Sequence, residues 1–212
     1  MKKISIAVAA LCFLLSTETS VAQTKKTAKT QPKKVEVAVP NEMNQEEMMK
    51  AWTVYMTPTE VHKMIAKSDG DWSGEVTHWM TPDAPPLISK CNETNKMIMG
   101  GRYQLSEFKG EFMGMPFDGM NIMGYDNAKK VFNTTWIDNM GTGVMNLQGK
   151  WDEKTRTINF KGTMVDPMTG KDCEAKETFT FIDDNTQLMQ MFAPRPDGKG
   201  MFKTMQIKFI RG

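Results

Sequence analysis

Gly119–Asp138, GMNIMGYDNAKKVFNTTWID, reads as a complete β-hairpin, and the chain repeats that pattern to its last residue. Gly119–Tyr125 is an extended run, Asp126-Asn127-Ala128-Lys129-Lys130 is a turn, and Val131–Ile137 is a second run that alternates in character. Further runs follow at Gly143–Trp151, Thr157–Val165, Asp172–Ile182, Gln187–Phe192 and Met201–Ile210. Turn signals at Asp152–Arg156, Asp166–Gly170, Asp183-Asp184-Asn185 and Pro196-Asp197-Gly198 separate them. In the last run Met201, Met205, Ile207 and Phe209 alternate with Thr204, Gln206 and Lys208. Such evenly spaced strands predict an antiparallel meander, and twist together with the hazard of bare edges favours its closure into a barrel.

The same period of two begins at Gly70-Asp71-Trp72. There Trp72, Val76, His78 and Met80 share one face, and Ser73, Glu75 and Thr77 take the other. Leu87–Glu93 reads as a strand, Asn95 as a bend, Met97–Phe108 as a long strand with a bulge at Gly100-Gly101, and Gly110–Asp118 as a loop. Ahead of the sheet, Asn44 with Glu47 three residues on opens a helix over Gln45–Tyr55. Thr57-Pro58-Thr59-Glu60 opens a second over Pro58–Lys67. Met48, Met49 and Trp52, then Val61, Met64 and Ile65, fall at helical spacing, so each helix is expected to lay one face on something larger.

Met1-Lys2-Lys3 followed by the apolar run Ile4–Leu15 is too short to span a bilayer. With Ser20-Val21-Ala22 it reads as a secretory signal peptide, residues 1–22, cut after Ala22. Leu11 stands where a lipoprotein signal before Cys12 needs a small residue, so lipidation is not expected. The expected organisation is a tether at residues 23–43, helices at 44–68 and a β-barrel domain at 69–212, in a protein exported to the periplasm or beyond. Residues 23–40 carry five lysines and one glutamate and have no apolar periodicity, which marks a flexible segment. Lys+Arg 27 against Asp+Glu 25 gives a near-neutral chain, and the folded part is mildly acidic, so no nucleic-acid partner is expected. No later run is apolar enough for a membrane helix. Cys91 and Cys173 remain after the leader, either as a disulfide or as two buried thiols.

Gly124-Tyr125-Asp126, Thr135-Trp136-Ile137-Asp138-Asn139, Gly141-Thr142-Gly143 and Asp166-Pro167-Met168-Thr169-Gly170 resemble the bacterial family known as domain of unknown function 1579. Gly100-Gly101-Arg102-Tyr103 and Met115-Pro116-Phe117 are similar to the same family's pattern, so the resemblance covers roughly Pro58 to Arg211. It implies an all-β, lipocalin-like domain and brings no catalytic residues with it. Gly70-Asp71-Trp72 also resembles the Gly-x-Trp that opens the first lipocalin strand, where the Trp closes the barrel floor.

Trp136 and Asp138 share a face with Phe132 at strand spacing, so an indole and a carboxylate are expected on one interior wall. A buried carboxylate needs a partner, and Arg102 and Tyr103 are the candidates. Asp126 reads as a turn stabiliser that accepts amides two or three residues on. With two histidines, His62 and His78, and no acid or Cys at ligand spacing, no metal site or cofactor is expected. No catalytic motif is present. The 21 methionines include the pairs Met97/Met99, Met113/Met115 and Met189/Met191, which at strand spacing point the same way. Three functions fit these features: a barrel that takes a small apolar or amphipathic ligand between Arg102, Tyr103, Phe132, Trp136, Asp138 and Met205, soft-metal (copper) handling through the Met pairs, or an enzyme using Asp138. The first is the expectation carried forward.

Overall fold

The computed structural model describes residues 44–212; the leader and the tether expected at 1–22 and 23–43 lie outside the described residues. Two helices come first, α1 (Gln45–Met56) and α2 (Glu60–Ala66). Ten strands follow: β1 (Gly70–His78), β2 (Leu87–Ile98), β3 (Tyr103–Phe112), β4 (Met115–Asp126), β5 (Val131–Asp138), β6 (Met145–Asp152), β7 (Thr157–Asp166), β8 (Lys171–Asp183), β9 (Thr186–Pro194) and β10 (Met201–Arg211). Each pairs antiparallel with the next, and β1 pairs with β10 from Trp72↔Arg211 to His78↔Met205, so the sheet closes and keeps no bare edge.

Aspartates at strand ends set the hairpins. The Asp126 carboxylate accepts the amides of Ala128 at 2.8 Å and Lys129 at 2.9 Å, and these bonds hold its carboxyl below the usual range. Asp152, Asp166 and Asp183 repeat the device with the amides of Lys154, Met168 and Asn185. Two turns differ from the sequence expectation. Met99, Gly100 and Gly101 all have positive φ (51°, 66°, 81°), so the glycine pair makes the β2–β3 turn and not a bulge, and β2 runs unbroken through Asn95. Met113 and Gly114 (φ 52° and 79°) make the β3–β4 turn by themselves, and the loop expected over Gly110–Asp118 is mostly strand.

Parity follows the closed ladder. Trp72, Phe108, Phe132, Leu147, Phe160, Ala175, Ile207 and Phe209 are buried on the inner wall, while their strand neighbours face out. The α2 segment plugs the end at which β1 begins. Ile65 is wholly buried against Phe132, Leu147, Ile158 and Phe181, with His62 buried beside it. Helix α1 corrects the expectation for its apolar face: Met48, Met49 and Trp52 are each about half exposed, and no α1 residue is buried. Its capping box is present, Asn44 Oδ1 accepting from Glu47 N at 2.9 Å, so local chemistry forms the helix, and among the described residues none covers its apolar face.

What ties α1 to the barrel is Asn127 in the β4–β5 turn, whose side-chain amide donates to the carbonyls of Tyr55 at 3.1 Å and Thr57 at 2.8 Å. A helix of this length is marginal by itself. Asn127→Ala is therefore expected to lower amide protection in α1 on the order of tenfold, about 1 kcal/mol of opening free energy, while the strands keep theirs. Hydrogen exchange measured segment by segment checks this, and unchanged α1 protection would refute the tie.

Candidate functional site

The two ends of the barrel are built differently. At the α2 end barrel side chains are bonded to the helix and to the turn after it. The last carbonyls of α2 and the turn after it lack helical partners, and barrel side chains supply donors. Gln104 Nε2 donates to Ile65 O at 3.1 Å, Trp72 Nε1 to Ser68 O at 2.8 Å, and Arg211 to Lys67 O at 2.5 Å and Asp69 O at 2.8 Å. Gln187 Nε2 donates to Ser68 Oγ at 2.7 Å. The Arg211 guanidinium lies 4.3 Å from the Trp72 ring centre, so a cation sits at the helix C-terminus and on an indole face at once. This is a closed floor.

Toward the other end the inner wall is only partly covered. Trp136, Met145, Met164, Phe179, Met189, Met191 and Met205 point inward by register with the buried core, yet each keeps some exposed surface. Most of them pack against the buried clusters on one side and keep some surface open to water on the other. Gly119 makes room for one of these: a Cβ there would stand 2.4 Å from the Trp136 ring, which lies over the glycine and between Phe108 and Phe117.

Two carboxylates share this wall. Glu93, between Trp72 and Phe108 in the ladder, is 4% exposed, and its Oε2 has no hydrogen-bond partner. Burial pushes its carboxyl up to about 7, with the Asn95 and Ser106 side chains pulling it partway back. Glu177, between Phe160 and Met191, is likewise pushed up to about 7 by desolvation while remaining partly exposed. Burial and the neighbouring Glu93 push the Cys91 thiol up to about 12; Cys173 is on β8, and both cysteines are free. Among the described residues no three His, Cys, Asp or Glu side chains gather into a metal-holding group.

The residues singled out from sequence divide. Phe132 is buried on the inner wall (1% exposed), and Trp136 and Met205 line its partly covered portion. Asp138 stands at the open end with both oxygens engaged. Oδ2 accepts from Trp136 Nε1 at 2.6 Å, and Oδ1 accepts the amides of Met140 at 2.9 Å and Gly141 at 3.0 Å. Arg102 and Tyr103 are not its partners. They lie at the opposite end, Arg102 bonding the Met99 carbonyl at 3.1 Å within its own turn, and Tyr103 covering Gly124 on the outer face, 46% exposed. Of the Met pairs, only Met189/Met191 points inward together; Met99 and Met113 sit in turns, exposed. Sequence reasoning missed Glu93 and Glu177, although Glu177 alternates with Ala175, Phe179 and Phe181 and so shows its parity in the chain itself.

Two hollows lie at the floor end. One, of about 420 Å³, runs between α1 and the β4–β5 turn; the other, of about 200 Å³, sits beside Met64 at the floor. Neither contains the unpartnered carboxylate Glu93.

A closed antiparallel barrel with one plugged end and a partly lined lumen defines a lipocalin-like protein. The chain belongs to the family described as protein of unknown function DUF1579, whose model matches residues 57–211. Two solved structures share the fold. Rv2717c from M. tuberculosis is 10% identical with a TM-score of 0.53, over 74% of this chain and 99% of that one. The S-type phycobiliprotein lyase CPES from Guillardia theta is 10% identical with a TM-score of 0.51, over 72% of this chain and 92% of that one. Among curated proteins none matches the sequence.

Proposed function

We propose that this protein is exported and binds a small apolar or amphipathic molecule inside the barrel, entering at the end opposite α2. The observation that carries the reading is the inner wall toward the open end: Trp136, Glu177, Phe179, Met189, Met191 and Met205 all point inward by register, and each stays partly open to water. The thioethers of Met189, Met191 and Met205 along that wall suit a ligand of irregular shape, since Met adapts at little cost. A phycobiliprotein lyase among the structural neighbours fits a barrel that handles a small molecule. Export is supported by the basic start and the apolar run Ile4–Leu15.

Native mass spectrometry of protein purified from its own compartment tests both parts. The expected result is a chain beginning at Gln23 that carries a co-purifying small organic mass, lost on mild activation. Intact Met1 in the exported fraction would overturn the export reading. A chain that stays unliganded after incubation with a panel of apolar compounds would overturn the binding reading.

A further inference from the structure

The lumen wall carries a charge asymmetry that bears on what it receives. Following the ladder registers round the closed barrel, and spreading their stagger evenly over the strands, puts Glu93 on β2 at a height between Glu177 and Phe179 on β8. They are separated by β1, β10 and β9 on one side and by β3 to β7 on the other, so they face each other across the waist. Neither is in an ion pair. The salt bridges among the described residues join Lys63 to Glu60, Lys176 to Glu174 and Arg195 to Asp197.

The cations that could answer them are elsewhere. Arg211 is committed to the floor carbonyls and the Trp72 face. His78, at the mouth, packs on Phe112 at 4.9 Å between ring centres, and burial lowers its pKa, which keeps it neutral. Among the described residues the strand lysine with inward parity is Lys171, exposed at the mouth end of β8, and Arg195 at the mouth is paired with Asp197. Asp138, the third carboxylate near this wall, is already satisfied by Trp136 and two amides.

From this geometry we propose that the lumen selects an apolar ligand that bears a basic nitrogen, with the ammonium or protonated ring nitrogen received at Glu177. The inference rests on the lumen-binding reading above and names its ligand class. A desolvated carboxylate with a free oxygen gains most from an incoming cation, which replaces the water it lost. The same wall repels a carboxylate-headed amphiphile, because its charge would approach the Glu177 carboxylate. Met191 and Phe160 flank Glu177 in the ladder and supply the apolar contact beside the charge.

The test is calorimetric titration of the mature protein at pH 8 with decylamine, decanol and decanoate, all below micellar concentrations. The chains are matched, so only the head group differs. Decylamine is expected to bind at least tenfold more tightly than decanol, and decanoate more weakly than either. Glu177→Gln is expected to erase the amine preference and leave decanol affinity within twofold. Decanol binding with no amine preference, or with decanoate as tight as decylamine, overturns this inference and leaves the lumen reading standing. Binding of none of the three overturns both. Because the unmodified protein by itself decides the charge preference, the outcome does not hang on the variant folding.

Discussion

Trp72→Ala is expected to cost roughly 3–5 kcal/mol of stability, a large share of the total for a domain of this size. The indole is 1% exposed and packs with Val76, Phe108, Ile207 and Phe209, so its removal opens a cavity where several strands meet. It also leaves the Ser68 carbonyl without its donor and the Arg211 guanidinium without the ring beneath it. The melting temperature should fall on the order of 10 °C. Trp72→Phe separates the contributions. It keeps most of the packing but orphans one buried acceptor, at about 1–3 kcal/mol. Thermal and urea unfolding of the three proteins checks both figures, and a Trp72→Ala loss under about 1 kcal/mol would mean that the floor is not where the fold is held.

The second large effect concerns pH. Burial raises the pKa of Glu93 in the folded protein to about 7, from 4.5 for a free glutamate, so between those values the native state holds a proton that the unfolded state has released. Its contribution is therefore fully present below about 4.5 and is lost as pH rises through about 7. The conversion gives up to about 3 kcal/mol for this group. Glu177 acts in the same direction with a smaller effect, since it keeps contact with water. Urea midpoints should accordingly fall as pH rises from 5 to 8, and Glu93→Gln, neutral throughout, should remove most of that slope. The slope is the readout, not absolute stability, because an amide does not reproduce every contact of the acid. An unchanged slope in Glu93→Gln would show that Glu93 is solvated in the native protein.

Much of the barrel is legible in the sequence because turn chemistry is local. Asp126 and the residues after it state both the turn and its cap, and the strand ends that flank the turn fall within a residue of where alternation puts them, although β4 starts four residues earlier than expected, at Met115. The Gly100-Gly101 pair is less informative, since two glycines serve a bulge or a turn equally well, and only the pairing of Ile98 with Tyr103 decides between them. That ambiguity propagates. In an up-and-down barrel the end at which a residue sits follows from counting strands, so with β2 divided and the β2–β3 turn unrecognised, Arg102 and Tyr103 could be imagined beside Asp138. They are a barrel length away. The exposed face of α1 shows a different limit: Met48, Met49 and Trp52 reveal that one side is apolar, but periodicity does not say what covers it. Glu93 and Glu177 were hidden by the ordinary expectation that glutamate faces water, even though Ala175, Phe179 and Phe181 announce the inward parity of β8.

The account depends on the lumen being a hollow that apolar matter can enter. A crystal structure under xenon pressure tests this directly, because xenon occupies apolar space without needing a matched head group. A xenon site is expected inside the barrel against Phe179, Met189 and Trp136. A lumen filled by its own side chains, with xenon bound only on the outer surface, would contradict it.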